Sequence, residues 1–344
     1  MAKRLATAFA LLVAALALAA AGCGDDDDGG GGGGGGGSDG GSDSIRLAFS
    51  TWNGYAGLVA GVEGGIFKDE GLDVTYDVIE DPVQRFNAFR AGEFDAIATT
   101  PDTFSRNYAR GIETVQVLPL DRSLGGDGIV AENDITSVDQ LDGQTVAVSQ
   151  GSTSQWFLGY VLDQNGLSLD DVKQANLTAA DAGAAFAAGR VPNAVTWEPW
   201  LTRAEENPDG HVLASTKDYP DIITDGVAFS RDFVDENPDT VEKFVRAYGK
   251  VMDLVESDPD KAFGYVTDYL GQSVAEIKAT LETVPLLTLE EGAEFLGSAD
   301  NPGPAYDVFE QSAEFWQSIG EIDEVPAPDD AIDPSFINRA AGQS

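Results

Sequence analysis

The chain has 344 residues, 59 Asp and Glu against 20 Lys and Arg, a formal net charge of −39 and a hydrophobic content of 42%. So acidic a surface repels nucleic acid and anionic lipid, which excludes both as partners, while the apolar content is ordinary for a folded protein. His211 and Cys23 are the only histidine and cysteine, so His-rich or Cys-rich metal sites and Cys–His or Ser–His catalysis lack their partners.

The first elements concern address. Met1-Ala2-Lys3-Arg4 is a basic start, Leu5 to Ala21 is apolar or small apart from Thr7, and Gly22-Cys23 follows. This order predicts an export signal over residues 1–22. A cysteine directly after the small residues predicts cleavage before Cys23 and its lipidation, the acyl chains tying the chain to the outer side of the cell membrane. Ala20 departs from the Leu usual at that place. A single-pass anchor is the alternative, but roughly 17 residues is short for a span and alanine inserts weakly. Residues 23–44 hold Asp25 to Asp28, a glycine run from Gly29 to Gly37 and further Gly, Asp and Ser. That composition predicts a flexible tether with a reach of about 25 Å. The aspartate run lacks the spaced ligands of a calcium loop.

From Ile45 strand-like and helix-like segments alternate. Strands are predicted over 45–50, 74–79, 96–99, 115–120 and 129–131, with helices over 56–64, 83–90 and 103–110 between them. A second series predicts strands over 145–148, 173–177 and 194–197, and helices over 152–164, 179–188 and 200–206. A strand over 227–229 follows. Such alternation with short loops predicts parallel sheets covered by helices. Beyond Asn237 the pattern is helical: Pro238 behind a capping Asn237, then Val241, Phe244, Val245, Tyr248, Val251, Met252 and Val255 at helical spacing. Asp258-Pro259 begins another helix, and residues 306–319 a third. A weak internal echo sets residues 88–99 against 185–196, each the end of a helix, a glycine stop and a strand.

The pieces Trp52-Asn53-Gly54-Tyr55, residues 64–74, 91–98, 121–130 and 141–147, and Thr196-Trp197-Glu198-Pro199-Trp200 stand in an order that resembles the nitrate/sulfonate/taurine family of periplasmic solute-binding proteins of ABC importers. The resemblance runs from about Ile45 to Ile319. It departs at Pro192-Asn193, where the family usually has Asp-Ala. It implies an α/β, two-lobed, type II periplasmic-binding-protein-like fold with parallel-dominated sheets, two interlobe crossings and a helical C-terminal tail. Lobe 1 would be residues 45–131, lobe 2 residues 132–229, and residues 230–344 would return to lobe 1. It also implies a monomer that closes on a small solute and delivers it to a membrane permease and its ATPase. No cofactor and no catalysis are expected. Thiamine-pyrimidine synthases share the fold, but they depend on cysteine and histidine that this chain lacks. A sensory receptor would bind in the same way.

Ligands of parallel α/β sheets bind beyond the carboxyl ends of strands. On that rule Trp52 and Tyr55 are candidate cleft walls. Thr100 and Asp102 open one helix, and Ser152, Thr153 and Ser154 open another as a candidate oxyanion cradle. Asp121, Ser123 and Asp127 lie on the first crossing. Trp197 and Glu198 end a strand, and Asp225 precedes one. The hydroxyls and helix starts suit an anionic end, such as a sulfonate, and the acids between tryptophans suit an amine or guanidinium. Both chemistries stay open at this point.

Overall fold

The computed structural model describes residues 43–298 and 300–342. The export signal, Cys23 and nearly all of the expected tether lie outside the described residues.

The first sheet is built from β1 (Ser44–Phe49), β2 (Asp73–Val78), β3 (Ala96–Thr99) and β4 (Thr114–Pro119). Its helices include α1 (Ala56–Glu63), α2 (Pro82–Arg90) and α3 (Pro101–Ala109). Ile45, Leu47 and Phe49 alternate in β1 and are fully buried, the period-2 pattern of a strand. Asp81 accepts from the Gln84 backbone N–H at 2.8 Å and Pro82 takes the first helical position, so α2 starts with both of its local signals satisfied.

The second sheet is built from β5 (Asp127–Glu132), β6 (Thr145–Val148), β7 (Lys173–Asn176), β8 (Asn193–Trp197) and β9 (Gly210–Ser215). It carries α4 (Thr153–Gln164), α5 (Ala179–Ala187) and α6 (Trp200–Glu205). The chain then returns through β10 (Gly226–Ser230) to the first sheet and continues into α7 (Pro238–Ser257) and, later, α8 (Pro304–Ser318).

Strand order is β2-β1-β3-β10-β4 in the first sheet and β7-β6-β8-β5-β9 in the second. The two orders match position for position. β1 is parallel to β2 and β3, as β6 is to β7 and β8. The strand that has crossed from the other lobe, β10 or β5, runs antiparallel to both neighbours. It enters its sheet from the cleft side, which reverses it and makes each sheet mixed. This corrects two expected boundaries. Residues 129–131 belong to the second sheet through β5, and residues 227–229 to the first through β10. The crossings are thus residues 120–126 and 216–225. The residue echo falls on matching positions too: α2 and α5 each end before a glycine in the left-handed region, Gly92 (φ 74°) and Gly189 (φ 63°), and each leads to the central strand, β3 or β8.

Hydrophobic clusters lie within each lobe, with Leu47, Ile97, Leu118 and Phe229 in one and Val146, Phe157, Val161 and Val195 in the other. In the tail, α7 buries Val241, Phe244, Val245, Tyr248 and Val251 on the first lobe, with Phe244 stacked on Phe67 at 5.0 Å. Asn237 does not cap it; its amide is turned back to the Phe233 carbonyl at 3.3 Å. Asp258 does cap the next helix, accepting from Lys261 N at 3.2 Å. The last long helix, α8, touches both lobes. Trp316 Nε1 donates to the Asp102 carbonyl at 2.8 Å and Ser312 pairs with Ser105 at 3.1 Å, both on α3, while Phe315 packs against Trp156 of α4 at 5.2 Å.

Candidate functional site

The carboxyl ends of β1, β3 and β8 and the start of α4 converge on one cavity between the sheets. Trp52, Tyr55, Asp127, Ser152, Thr153, Trp197 and Asp225 of the expected residues line it. Ser50, Glu80, Pro82, Arg85, Thr99, Thr103 and Ile223 complete it. The free space is only about 20 Å³, room for about one water. The lobes are closed on each other by direct bonds. Thr100 Oγ1 and Thr153 Oγ1 meet at 2.6 Å, and Trp197 Nε1 donates to the Thr51 carbonyl at 3.0 Å.

The remaining expected residues stand around this cavity and do not line it. Asp121 is fully buried behind Trp52, whose indole N–H donates to its Oδ2 at 3.0 Å. Ser123 is also fully buried: its hydroxyl donates to Asp127 Oδ2 at 2.6 Å and meets Thr216 Oγ1 at 2.8 Å. That pair ties the first crossing to the second, as do Leu120 N to the Asp225 carbonyl (2.8 Å) and Ser123 N to the Ile223 carbonyl (3.0 Å). Thr100 precedes α3 but makes no side-chain cap; its hydroxyl pairs with that of Thr153. Asp102 lies behind Thr103, whose hydroxyl donates to Oδ2 at 3.1 Å. Ser154 is buried at the start of α4, its hydroxyl unpartnered among the described residues. Glu198 accepts from Thr202 N and Oγ1 at 3.1 and 2.7 Å and faces a separate groove with Lys217 and Thr280. It braces α6, and the expectation that it meets the ligand does not fit that orientation. Trp200 is only half-buried and lies under the Arg203 guanidinium at 4.6 Å. His211 sits in β9 opposite Ala131.

The expected oxyanion cradle is largely consumed by the protein. The Ser152 hydroxyl donates to the Ser149 carbonyl at 2.7 Å and accepts from Ser154 N at 3.2 Å, an ordinary cap, and Thr153 is committed across the cleft. Carboxyl groups dominate what is left. Burial pushes the Asp102 carboxyl up to about 6 and the Asp225 carboxyl up to about 7, and it lifts Asp121 and Asp127 well above the usual carboxylate range. The charges of neighbouring aspartates add to the shift of Asp121, Asp127 and Asp225. Tyr55 donates its hydroxyl to Asp225 Oδ1. The one cation in the lining, Arg85, is lowered by burial, donates Nη1 to the Ile79 carbonyl at 2.7 Å and sits in the field of Tyr55, Glu80 and Asp225.

Sequence reasoning missed Arg85 and Glu80. Glu80 lies just past β2, at a carboxyl strand end that the same rule would have included. Arg85 shares a helix face with Phe86 and Phe89, an arginine on a buried stripe. Tyr269, far along the tail, also builds the site: it accepts from Trp52 N at 2.9 Å and donates to the Ser50 carbonyl at 2.8 Å, fixing the loop that carries Trp52. No local signal marked it.

The NMT1/THI5-like family model matches residues 52–262, which span both lobes, both crossings and every residue lining the cavity except Ser50. The chain belongs to the NMT1/THI5-like family. Among similar proteins is a binding protein of Brucella abortus (strain 2308), 24% identical over 232 residues, covering 67% of this chain and 72% of that protein. A Bacillus subtilis (strain 168) protein named for binding aliphatic sulfonates is 25% identical over 291 residues, 82% of this chain and 84% of its own. The solved structure of the alkanesulfonate-binding protein SsuA from Xanthomonas axonopodis pv. citri, bound to MOPS, superposes with a TM-score of 0.70 at 18% identity, covering 85% of this chain and 98% of that one. The two-lobed binding-protein fold expected from the sequence is therefore the fold of this NMT1/THI5-like chain.

The cross-lobe hydroxyl pair has a measurable weight. Thr153→Val keeps the shape of the side chain and removes its bond to Thr100, worth about 1 kcal/mol. It should shift the ligand-free population toward open lobes by about fivefold. X-ray scattering would show a larger radius of gyration than the parent chain; an unchanged value would mean the bond does not hold the lobes.

Proposed function

We propose that this NMT1/THI5-like chain is the extracytoplasmic solute-binding subunit of an ABC importer, not an enzyme. It would be held at the membrane through a lipidated Cys23, act as a monomer, and take up a small polar solute in the cavity between its lobes for delivery to a permease and its ATPase. The observation that carries this reading is the cavity itself. It is formed by the strand ends of two topologically matched lobes, joined by two crossings and latched by Thr100–Thr153 and Trp197–Thr51. A solute touching both lobes makes contacts in the closed state that the open state lacks, and that difference drives closure.

A melting screen of the full chain tests it, with alkanesulfonates first because of the relatives' names, then taurine, nitrate, amino acids and amines. A true solute at 100 times its dissociation constant adds about 2.7 kcal/mol, a clear rise in melting temperature. A bound solute that leaves the radius of gyration of the open state unchanged would defeat the closure mechanism.

A further inference from the structure

The cavity has a chemical preference that the relatives' names do not carry. Its lining includes Trp52, Tyr55 and Trp197, three electron-rich aromatic side chains, together with Asp127 and Asp225. Both carboxylates are nearly fully buried, at 4% and 5% exposure, and Asp102 and Asp121 stand buried directly behind the lining. Arg85 Nε lacks a partner among the described residues, and an anion would find that donor. It would meet Asp225 and Glu80 beside it, and the Thr103, Ser152 and Thr153 hydroxyls are already committed to Asp102, Ser149 and Thr100. A cation would find aromatic side chains and carboxyls that ionise as it binds, the arrangement that holds organic ammonium groups. Among the described residues no cluster of His, Cys, Asp or Glu is disposed to hold a metal ion, so the acids do not read as metal ligands.

We propose that the solute carries a cationic nitrogen group, an ammonium, amidinium or guanidinium, seated against Trp52, Tyr55 and Trp197 with Asp127 and Asp225 as counter-charges. This rests on the solute-binding reading above. An aminosulfonate satisfies it; a plain sulfonate does not. Proton linkage follows from the surroundings of Asp225, which faces Tyr55 and Arg85 and feels Asp102, Asp121 and Asp127. Its carboxyl, raised to about 7, holds a proton for part of the time near neutrality, and a cation binds the ionised form. Binding therefore releases protons, and affinity tightens as pH rises toward 8. An anion would show the opposite trend.

Calorimetry on the full chain at pH 5.5, 6.5 and 7.5 tests the proposal with ethylammonium, methylguanidine, acetamidine and taurine against ethanesulfonate and nitrate. The expected result is binding by members of the first group alone, about tenfold tighter at pH 7.5 than at pH 5.5, with a heat that varies with the buffer's ionisation enthalpy. Asp127→Asn should weaken that binding about 30- to 1,000-fold while the ligand-free chain melts no lower than the parent. Should it fail to fold, Asp225→Asn, which keeps an acceptor for Tyr55, gives the same readout. Ethanesulfonate or nitrate binding as well as taurine, or tightening at low pH, would overturn the cationic assignment and leave the importer reading intact. Silence from every solute in both groups would overturn both.

Discussion

Gly54→Ala should abolish the response to solute and lower stability by roughly 2–5 kcal/mol. A Cβ at this position would fall 1.7 Å from Asp121 Oδ2 and 2.3 Å from Trp52 Nε1, the two atoms of a buried hydrogen bond. Both cannot stay. Moving Trp52 removes a wall of the cavity, and moving Asp121 strains the crossing and takes away the donor that its buried carboxylate uses. Overpacking costs about 1–3 kcal/mol and an unpaired buried acceptor a similar amount. Denaturant unfolding gives the stability loss, and calorimetry gives the binding. A Gly54→Ala protein that binds as the parent does would show that Trp52 is no part of the site.

The ligand-free chain should become more stable as pH falls from 8 to about 5. An aspartate whose folded value is raised takes up a proton on folding, so its burial cost is present above the folded value and is relieved as pH falls through it. The relief runs from the folded values, about 7 for Asp225 and about 6 for Asp102, down to the unfolded value of 3.8, so part of it lies between pH 8 and 5 and the rest just below. For Asp102, raised by about two units from 3.8, the full relief is of order 3 kcal/mol, about half of it reached by pH 5, and Asp225, Asp121 and Asp127 act in the same direction. Lowering pH also reduces the repulsion within a chain of net charge −39. Carboxylates that cap helices act the other way: Glu276, held low by the Ser273 hydroxyl and backbone N–H, loses its bonds only further into the acid range. Melting temperature against pH should therefore rise by several degrees from 8 to 5 and fall below about 4. A curve that falls steadily from 8 would mean the four aspartates are ionised at no cost, and the electrostatics of the site would need another account.

The fold was legible because periodicity and strand–helix alternation are local. Ile45-Leu47-Phe49 announces β1, and the stripe from Val241 to Val255 announces α7. The antiparallel run of β5 and β10 was not legible, since a strand's direction depends on where the chain enters the sheet. The same blindness put residues 129–131 and 227–229 in the wrong lobe. Trp52, Tyr55, Asp127, Ser152, Thr153, Trp197 and Asp225 line the cavity as expected because strand and helix ends point to the cleft. Asp121, Ser123 and Glu198 looked identical in sequence, yet their side chains are spent on Trp52, on the crossing and on Thr202. Which partner a polar group chooses is a tertiary fact. Tyr269 is the extreme case, more than 200 residues from the loop it fixes.

The placement of α8 sets the mechanics of the cleft. Two crossings tied side by side define an axis, about which the lobes can swing and also shear. The last helix adds an attachment off that axis. It is bonded to α3 through Ser312 and Trp316 and lies against α4 through Phe315, which approaches so closely that a Cβ on Gly159 would meet its ring at 2.2 Å. The α3 bonds are polar and directional, so α8 travels with the first lobe. The Phe315 contact on α4 has no directional bond and rests on shape alone. On the closure proposed above, such a joint would act like a door with a stop, leaving the swing free and opposing sideways travel.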